Sequence, residues 1–119
     1  MMFGRGPMTI SDAHEGSVVV VSPRGRIDST TSATLDRHLQ DLAAAGQTRV
    51  VVDFTSVDYI SSAGLRVMLA LAKRGRDQKG RVALFGMNDS VRQVFELAGF
   101  VALFTIAPTR DEALHAAMA

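Results

Sequence analysis

Val50-Val51-Val52 is a β-branched run that reads as a buried strand, and shortly after it the apolar period changes. Leu65, Met68, Leu69 and Ala72 recur at i, i+3, i+4 and i+7, which is one face of a helix. A switch from strand period to helix period confines the chain to folds in which a sheet and helices alternate. Between the two runs lies Asp53-Phe54-Thr55-Ser56-Val57-Asp58-Tyr59-Ile60-Ser61-Ser62-Ala63-Gly64, a connection that ends in two hydroxyl residues at the start of the helix. The first turn of a helix has N–H groups without intrahelical partners and the positive end of the dipole, so it accepts a hydroxyl cap or a phosphoryl group. The residues alone leave both readings open: a cap worth about 1 kcal/mol, or a place that carries phosphate.

The same alternation continues on both sides. Met8 to Ala13 reads as a short edge strand, Glu15-Gly16 as a turn and Val18 to Val21 as a more buried strand. Gly25-Arg26-Ile27-Asp28-Ser29-Thr30-Thr31 is a polar connection to a helix that carries Leu35, Leu39 and Leu42 on one face and ends near Gly46. After the Ser62 helix, Lys73, Arg74, Arg76, Lys79 and Arg81 read as a solvated helix end, and Val82 to Phe85 as another buried strand. Asn88-Asp89-Ser90 opens a third helix with Val91, Val94, Phe95 and Ala98 on one side and Gly99 as its stop. Leu103 to Ile106 reads as the last strand. Thr109 and Glu112 form a capping-box pattern for a final helix with Leu114, Ala117 and Met118 inward. The expectation is one α/β domain over residues 8–119, a mixed, mostly parallel sheet of about four to five strands packed against about four helices. Residues 1–7, with two glycines and a proline, are expected to be a loose tail.

Chemistry is excluded more readily than it is found. The absence of cysteine removes disulfides, thiolate metal ligands and cysteine nucleophiles together. His14, His38 and His115 are scattered, with neither triad settings nor metal-ligand spacing, and Ser61-Ser62-Ala63-Gly64 is not a nucleophile elbow. No glycine-rich phosphate loop is present. A formal charge of +1, with one tyrosine and no tryptophan, gives no support to nucleic-acid binding. No run approaches the ~18 apolar residues of a membrane helix, so a cytoplasmic location is expected. What remains is two polar loops, at 28–31 and 58–62, each leading into a helix. Asp28, Asp53 and Asp58 flank these connections and read either as turn and cap chemistry or as an acidic rim that positions a kinase or a metal–nucleotide.

Three blocks carry a family resemblance: Gly25-Arg26-Ile27-Asp28 with Thr31 and Leu35; Val51-Val52-Asp53-Phe54 followed by Val57-Asp58-Tyr59-Ile60-Ser61-Ser62-Ala63-Gly64-Leu65; and Val91-Arg92-Gln93-Val94-Phe95-Glu96-Leu97-Ala98-Gly99-Phe100. In order and spacing they resemble the STAS domain, and more narrowly the bacterial anti-sigma-factor antagonists. The resemblance implies a binding switch without catalysis or cofactor of its own. Unphosphorylated, such a protein binds an anti-sigma factor that is also a serine kinase and frees the sigma factor. Phosphorylation with ATP held by that partner breaks the complex, and a serine phosphatase resets it. Aligning Gly64-Leu65 on the family's Gly-Leu implies phosphorylation at Ser62. Many members read Asp-Ser-Ser-Gly or Asp-Ser-Thr-Gly where this chain reads Ser61-Ser62-Ala63-Gly64, which keeps Ser61 as the alternative acceptor. The implied partner surface is Asp28, Ser29, Thr30, Asp58, Ser61, Ser62, Ala63, Gly64 and Leu65. A free monomer, without metal, is expected. The different class of reading is a STAS domain that senses a nucleotide or scaffolds another signalling protein, with Ser62 never modified.

Overall fold

A computed structural model describes residues 8–119. The expected N-terminal tail, residues 1–7, lies outside the described residues. Elements follow in the order β1 (Thr9–Glu15), β2 (Val18–Ile27), α1 (Ser32–Ala44), β3 (Arg49–Asp53), β4 (Val57–Ile60), α2 (Ser62–Asp77), β5 (Arg81–Phe85), α3 (Asp89–Leu97), a 3-10 turn (Val101–Leu103), β6 (Thr105–Ala107) and α4 (Arg110–Met118). The strands are ordered β1-β2-β3-β5-β6, with β4 paired to β2 off this path. Among the described residues only the β1–β2 hairpin is antiparallel, and every other pairing is parallel.

The unbroken Val18–Val21 run is explained by burial on both faces of a largely parallel sheet. Val19 and Val21 join Val50, Val52 and Leu84 beneath Leu35 and Leu39 of α1, Leu65, Met68 and Leu71 of α2, and Val91 and Phe95 of α3. Val18, Val20, Val51, Ala83 and Phe85 turn the other way, against Ala113, Leu114 and Ala117 of α4. Phe95 has no exposed surface and meets Phe54, Phe104 and Phe100 edge-on at 5.7, 5.9 and 6.3 Å between ring centroids. That geometry satisfies the ring quadrupoles as it fills space.

The fold class is as expected, and the departures from the sequence reading are local. Val57–Ile60 is a strand, where the sequence reads as a polar loop, because only Val57 and Ile60 turn inward while Asp58 and Tyr59 face solvent. Strand β2 runs on through Pro23 and Gly25 to Ile27. Gly25 takes φ +111° where the pairing passes from β3 to β4 and the register shifts. The shift leaves Asp58 as an extra residue on β4, between Val57 opposite Gly25 and Tyr59 opposite Arg26, and a bulge of this kind bends its strand and re-aims the side chains. The buried stripe of α2 is Leu65, Met68 and Leu71 with Gly64 and Val67, while Leu69 and Ala72 are only half-buried. The rotation arises because α2 packs against α1 as well as against the sheet. Residues 101–103 form a 3-10 turn and the last strand begins at Thr105. Two positions expected inward face solvent: Met118, in the last turn of α4, and Ala98, just beyond α3. At the C-terminal end of α2, Arg74 departs from a fully solvated helix end: its Nε and Nη2 are buried and unpaired among the described residues.

Candidate functional site

The chain leaves β4 at Ile60 and enters α2 at Ser62, with Ser61 between them as the N-cap in an extended conformation. Ser61 Oγ accepts from the Gly64 N–H at 3.3 Å, which satisfies one of the orphan donors of the first turn. The Leu65 N–H closes the turn on Ser61 O at 2.9 Å. The N–H groups of Ser62 and Ala63 are left at the open end of a 16-residue helix. Ser62 is exposed, and its hydroxyl has no hydrogen-bond partner among the described residues. Adjacent serines therefore have opposite situations: one hydroxyl is spent on the helix and the other faces water.

Gly64 sets how closely this helix end approaches the sheet. A Cβ there would lie 2.7 Å from both Ile27 Cγ2 and Ile60 Cγ1 and 3.3 Å from Ile27 O. Only a residue without a side chain lets the first turn of α2 rest on the β2–β4 pair. Leu65, next to it, is 8% exposed and belongs to the core.

The second polar loop abuts the first through one backbone bond, Ser61 N–H to Ile27 O at 2.8 Å. Beyond Ile27, Asp28 organises the turn into α1. Its Oδ1 accepts from Thr30 Oγ1 at 2.7 Å, Thr30 N–H at 2.9 Å and Thr31 N–H at 3.1 Å. Thr31 Oγ1 accepts from the Asp28 N–H at 2.9 Å and has its single proton closest to Arg26 O, at 2.7 Å. These bonds, the Thr30 hydroxyl first, hold the Asp28 carboxyl below its ordinary value of 3.8 against a smaller opposing effect of burial. Ser29 and Thr30 are exposed at the tip.

Of the other acidic residues, Asp53 does turn chemistry: its Oδ1 accepts from the Thr55 N–H at 2.8 Å and its Oδ2 from Ser22 Oγ at 3.4 Å. Asp58 is exposed on β4. Next to it stands a feature that sequence reasoning missed. The Arg26 guanidinium lies 4.2 Å above the centre of the Tyr59 ring, and Arg26 Nε is 3.8 Å from Asp28 Oδ2. Arg26 and Tyr59 are register partners on β2 and β4. Residues 57–60 carry no alternating strand pattern, because Asp58 is an extra residue between Val57 and Tyr59, so the sequence held no periodic signal for this pair. Asp28, Ser29, Thr30, Arg26, Asp58, Tyr59, Ser61 and Ser62 thus form two adjoining loops and their strand ends, while Gly64 and Leu65 lie beneath.

Known proteins with this arrangement decide the family. A model of the STAS domain matches residues 9–113. The chain belongs to the STAS domain family. A Bordetella bronchiseptica STAS relative, BtrV, named as a candidate anti-sigma factor antagonist, is 37% identical over 99 residues, 83% of this chain and 85% of its own length. The anti-sigma-F factor antagonist RsfB of Mycobacterium tuberculosis is 29% identical over 107 residues, 90% of this chain and 87% of that one. The crystal structure of an anti-sigma factor antagonist from Mycobacterium paratuberculosis superposes with a TM-score of 0.86 at 26% identity, covering 94% of this chain and 95% of the other. Among the described residues of this STAS domain, no helix is long and apolar enough to cross a membrane.

Proposed function

We propose that the chain is an anti-sigma factor antagonist, a binding switch without catalysis of its own that is turned off by phosphorylation of Ser62. Unphosphorylated, it binds an anti-sigma factor that is also a serine kinase and so releases the sigma factor. The phosphate comes from ATP held by that partner, and a serine phosphatase removes it. A cytoplasmic setting fits this exchange. The observation that carries the reading is the division of labour between the two serines: Ser61 Oγ caps Gly64 N–H, whereas Ser62 is exposed at the first position of α2.

A phosphoserine adds about −1.5 to −2 charge at neutral pH and a group larger than a hydroxyl. At the open end of α2 the free N–H groups and the dipole favour that charge, so the domain tolerates it. At a close interface the same group must lose water and find room, and where the partner offers no matching cation the complex weakens. The docking surface in this reading is Asp28, Ser29, Thr30, Asp58, Ser61, Ser62 and Ala63, with Gly64 and Leu65 serving it by seating the helix.

The test is phosphorylation by the candidate kinase partner with ATP, mapped by mass spectrometry in the parent chain, Ser61→Ala and Ser62→Ala. Phosphate is expected in the parent and in Ser61→Ala and lost in Ser62→Ala, which also holds its partner constitutively. Incorporation that survives Ser62→Ala overturns the acceptor assignment. Exchange broadening of the Ser62 loop on adding ATP or GTP alone, with no modification by any kinase, would instead identify a nucleotide sensor.

A further inference from the structure

We propose that two copies of this chain pair through the outer edge of β1, antiparallel and centred on Ala13, so that Asp12 of each copy faces His14 of the other. Strand β1 is seven residues long and is paired along its whole length to β2 on one side. Among the described residues its other side pairs with no strand, and six of its seven residues are exposed. The opposite edge of the sheet, β6, is only three residues long. A long edge presents a row of free N–H and C=O groups, a template for another strand, and β1 carries no proline or lysine to discourage one.

Geometry and charge select the register. Alternate residues of an edge strand point their backbone groups outward, and in an antiparallel pair directly opposed residues are of the same kind. Identical edges can therefore meet only with the two-fold axis on a residue. An axis on Asp12 would oppose the two Asp12 carboxylates directly, a destabilising pair. An axis on Ala13 sets small residues together, opposes Asp12 to His14 twice on one face of the sheet, and opposes Ser11 to Glu15 on the other. Asp12 and His14 lie on the face that carries α1, since His38 Nε2 of α1 contacts Asp12 Oδ1 and Oδ2 at 2.8 and 2.9 Å.

A second observation points the same way. The face of α1 that holds His38 is an open concavity of about 320 Å³ lined by Ala33, Thr34, Arg37, His38 and Asp41, with small residues and one exposed charge of each sign. It flanks the free edge, on the side where a second copy would bring its own α1. Ala13 is opposite Val20, and Val20 stands seven positions before Ile27, about 23 Å at ~3.3 Å per residue. Pairing there leaves both Ser62 loops open. The result is one continuous sheet with two independent switch ends, in place of the monomer that the sequence suggested.

The chain contains no cysteine, so single introduced thiols report the register cleanly. Directly opposed residues have Cα atoms about 4.5–5.5 Å apart, within the range a disulfide spans. Ala13→Cys is expected to cross-link into dimers under mild oxidation at least about tenfold faster than Ser11→Cys, Asp12→Cys or the exposed control Ala45→Cys. The circular dichroism and melting of each variant are checked against the parent. Sedimentation of the parent chain should show a mass rising toward that of a dimer between about 10 μM and 1 mM, the range of a modest interface. Asp12→Lys should abolish the rise, and Asp12→Lys combined with His14→Asp should restore it. Both variants lose the His38 contact, so their difference isolates the contact between copies. A mass that stays monomeric to 1 mM, cross-linking no faster at position 13 than at the control, a maximum at position 12, or no restoration by the second substitution overturns the proposal.

Discussion

The two loops that adjoin at the end of β2 are built on opposite principles. In the Asp28 loop the polar groups of Asp28, Thr30 and Thr31 are satisfied within the loop itself: one carboxylate oxygen gathers three donors, and the Thr31 hydroxyl bridges Asp28 N–H and Arg26 O. In the Ser61–Ser62 loop one hydroxyl does all the structural service and the other is left over. The first loop holds its shape by itself, so it suits a docking platform. The second borrows its shape from the helix and the strands below, which leaves the Ser62 hydroxyl unused by the fold, as the proposed modification there requires.

The firmest way to break this contrast is to remove the support under the second loop. Gly64→Ala places a methyl group 2.7 Å from Ile27 and Ile60, and should destabilise the domain by about 1–3 kcal/mol in chemical denaturation. A loss near zero would mean that the helix end is not seated as described. Next in size is Ser62→Asp, which should leave stability unchanged and weaken binding to the proposed kinase partner at least about tenfold, or ~1.4 kcal/mol, in a calorimetric titration. Equal affinity for the aspartate variant and the parent counts against repulsion at the interface. Ser61→Ala should cost about 1 kcal/mol of stability through the lost cap while leaving the proposed acceptor, Ser62, in place, so a melting curve and a phosphorylation assay on one variant separate the roles of the two serines.

The smallest effect belongs to the first loop. Asp28 has its folded value lowered, so its bonds stabilise the native state in full above the unfolded value near 3.8, and that contribution fades as pH falls through the lowered folded value. The stability difference between the parent and Asp28→Asn should therefore be constant above about pH 5 and shrink only in stronger acid. A difference that changes around neutral pH would show that another group governs the loop.

How much of this was readable before folding depended on whether a residue's neighbours in sequence were also its neighbours in space. The serines at the start of α2, the Asn88 cap, whose Oδ1 accepts from Val91 N–H at 2.8 Å, and the Thr109–Glu112 box all act within one turn, and their chemistry was legible from residue types alone. Strand β4 was not. Val57 and Ile60 are held by β2 and α3, elements distant in the chain, and the exposed Asp58 and Tyr59 between them look like a loop when read locally. For the same reason the Arg26–Tyr59 stack was hidden, since it exists only after β2 extends past Gly25 to reach β4. Period alone also placed the inner face of α2 slightly off, because a helix wedged between a sheet and another helix buries more than one line of residues. The two serines could be found from sequence, but which hydroxyl is spent on the cap required the geometry of Gly64 N–H.

Strand β2 is joined to β3 over Val19–Val21 and to β4 over Gly25–Ile27, so one unbroken backbone runs from the middle of the hydrophobic interior to the floor under Ser62. That floor cannot be loosened without unstitching the interior as well. An added phosphate would arrive over a splint anchored at its far end, and its consequences would be confined to whatever other molecule tries to rest there.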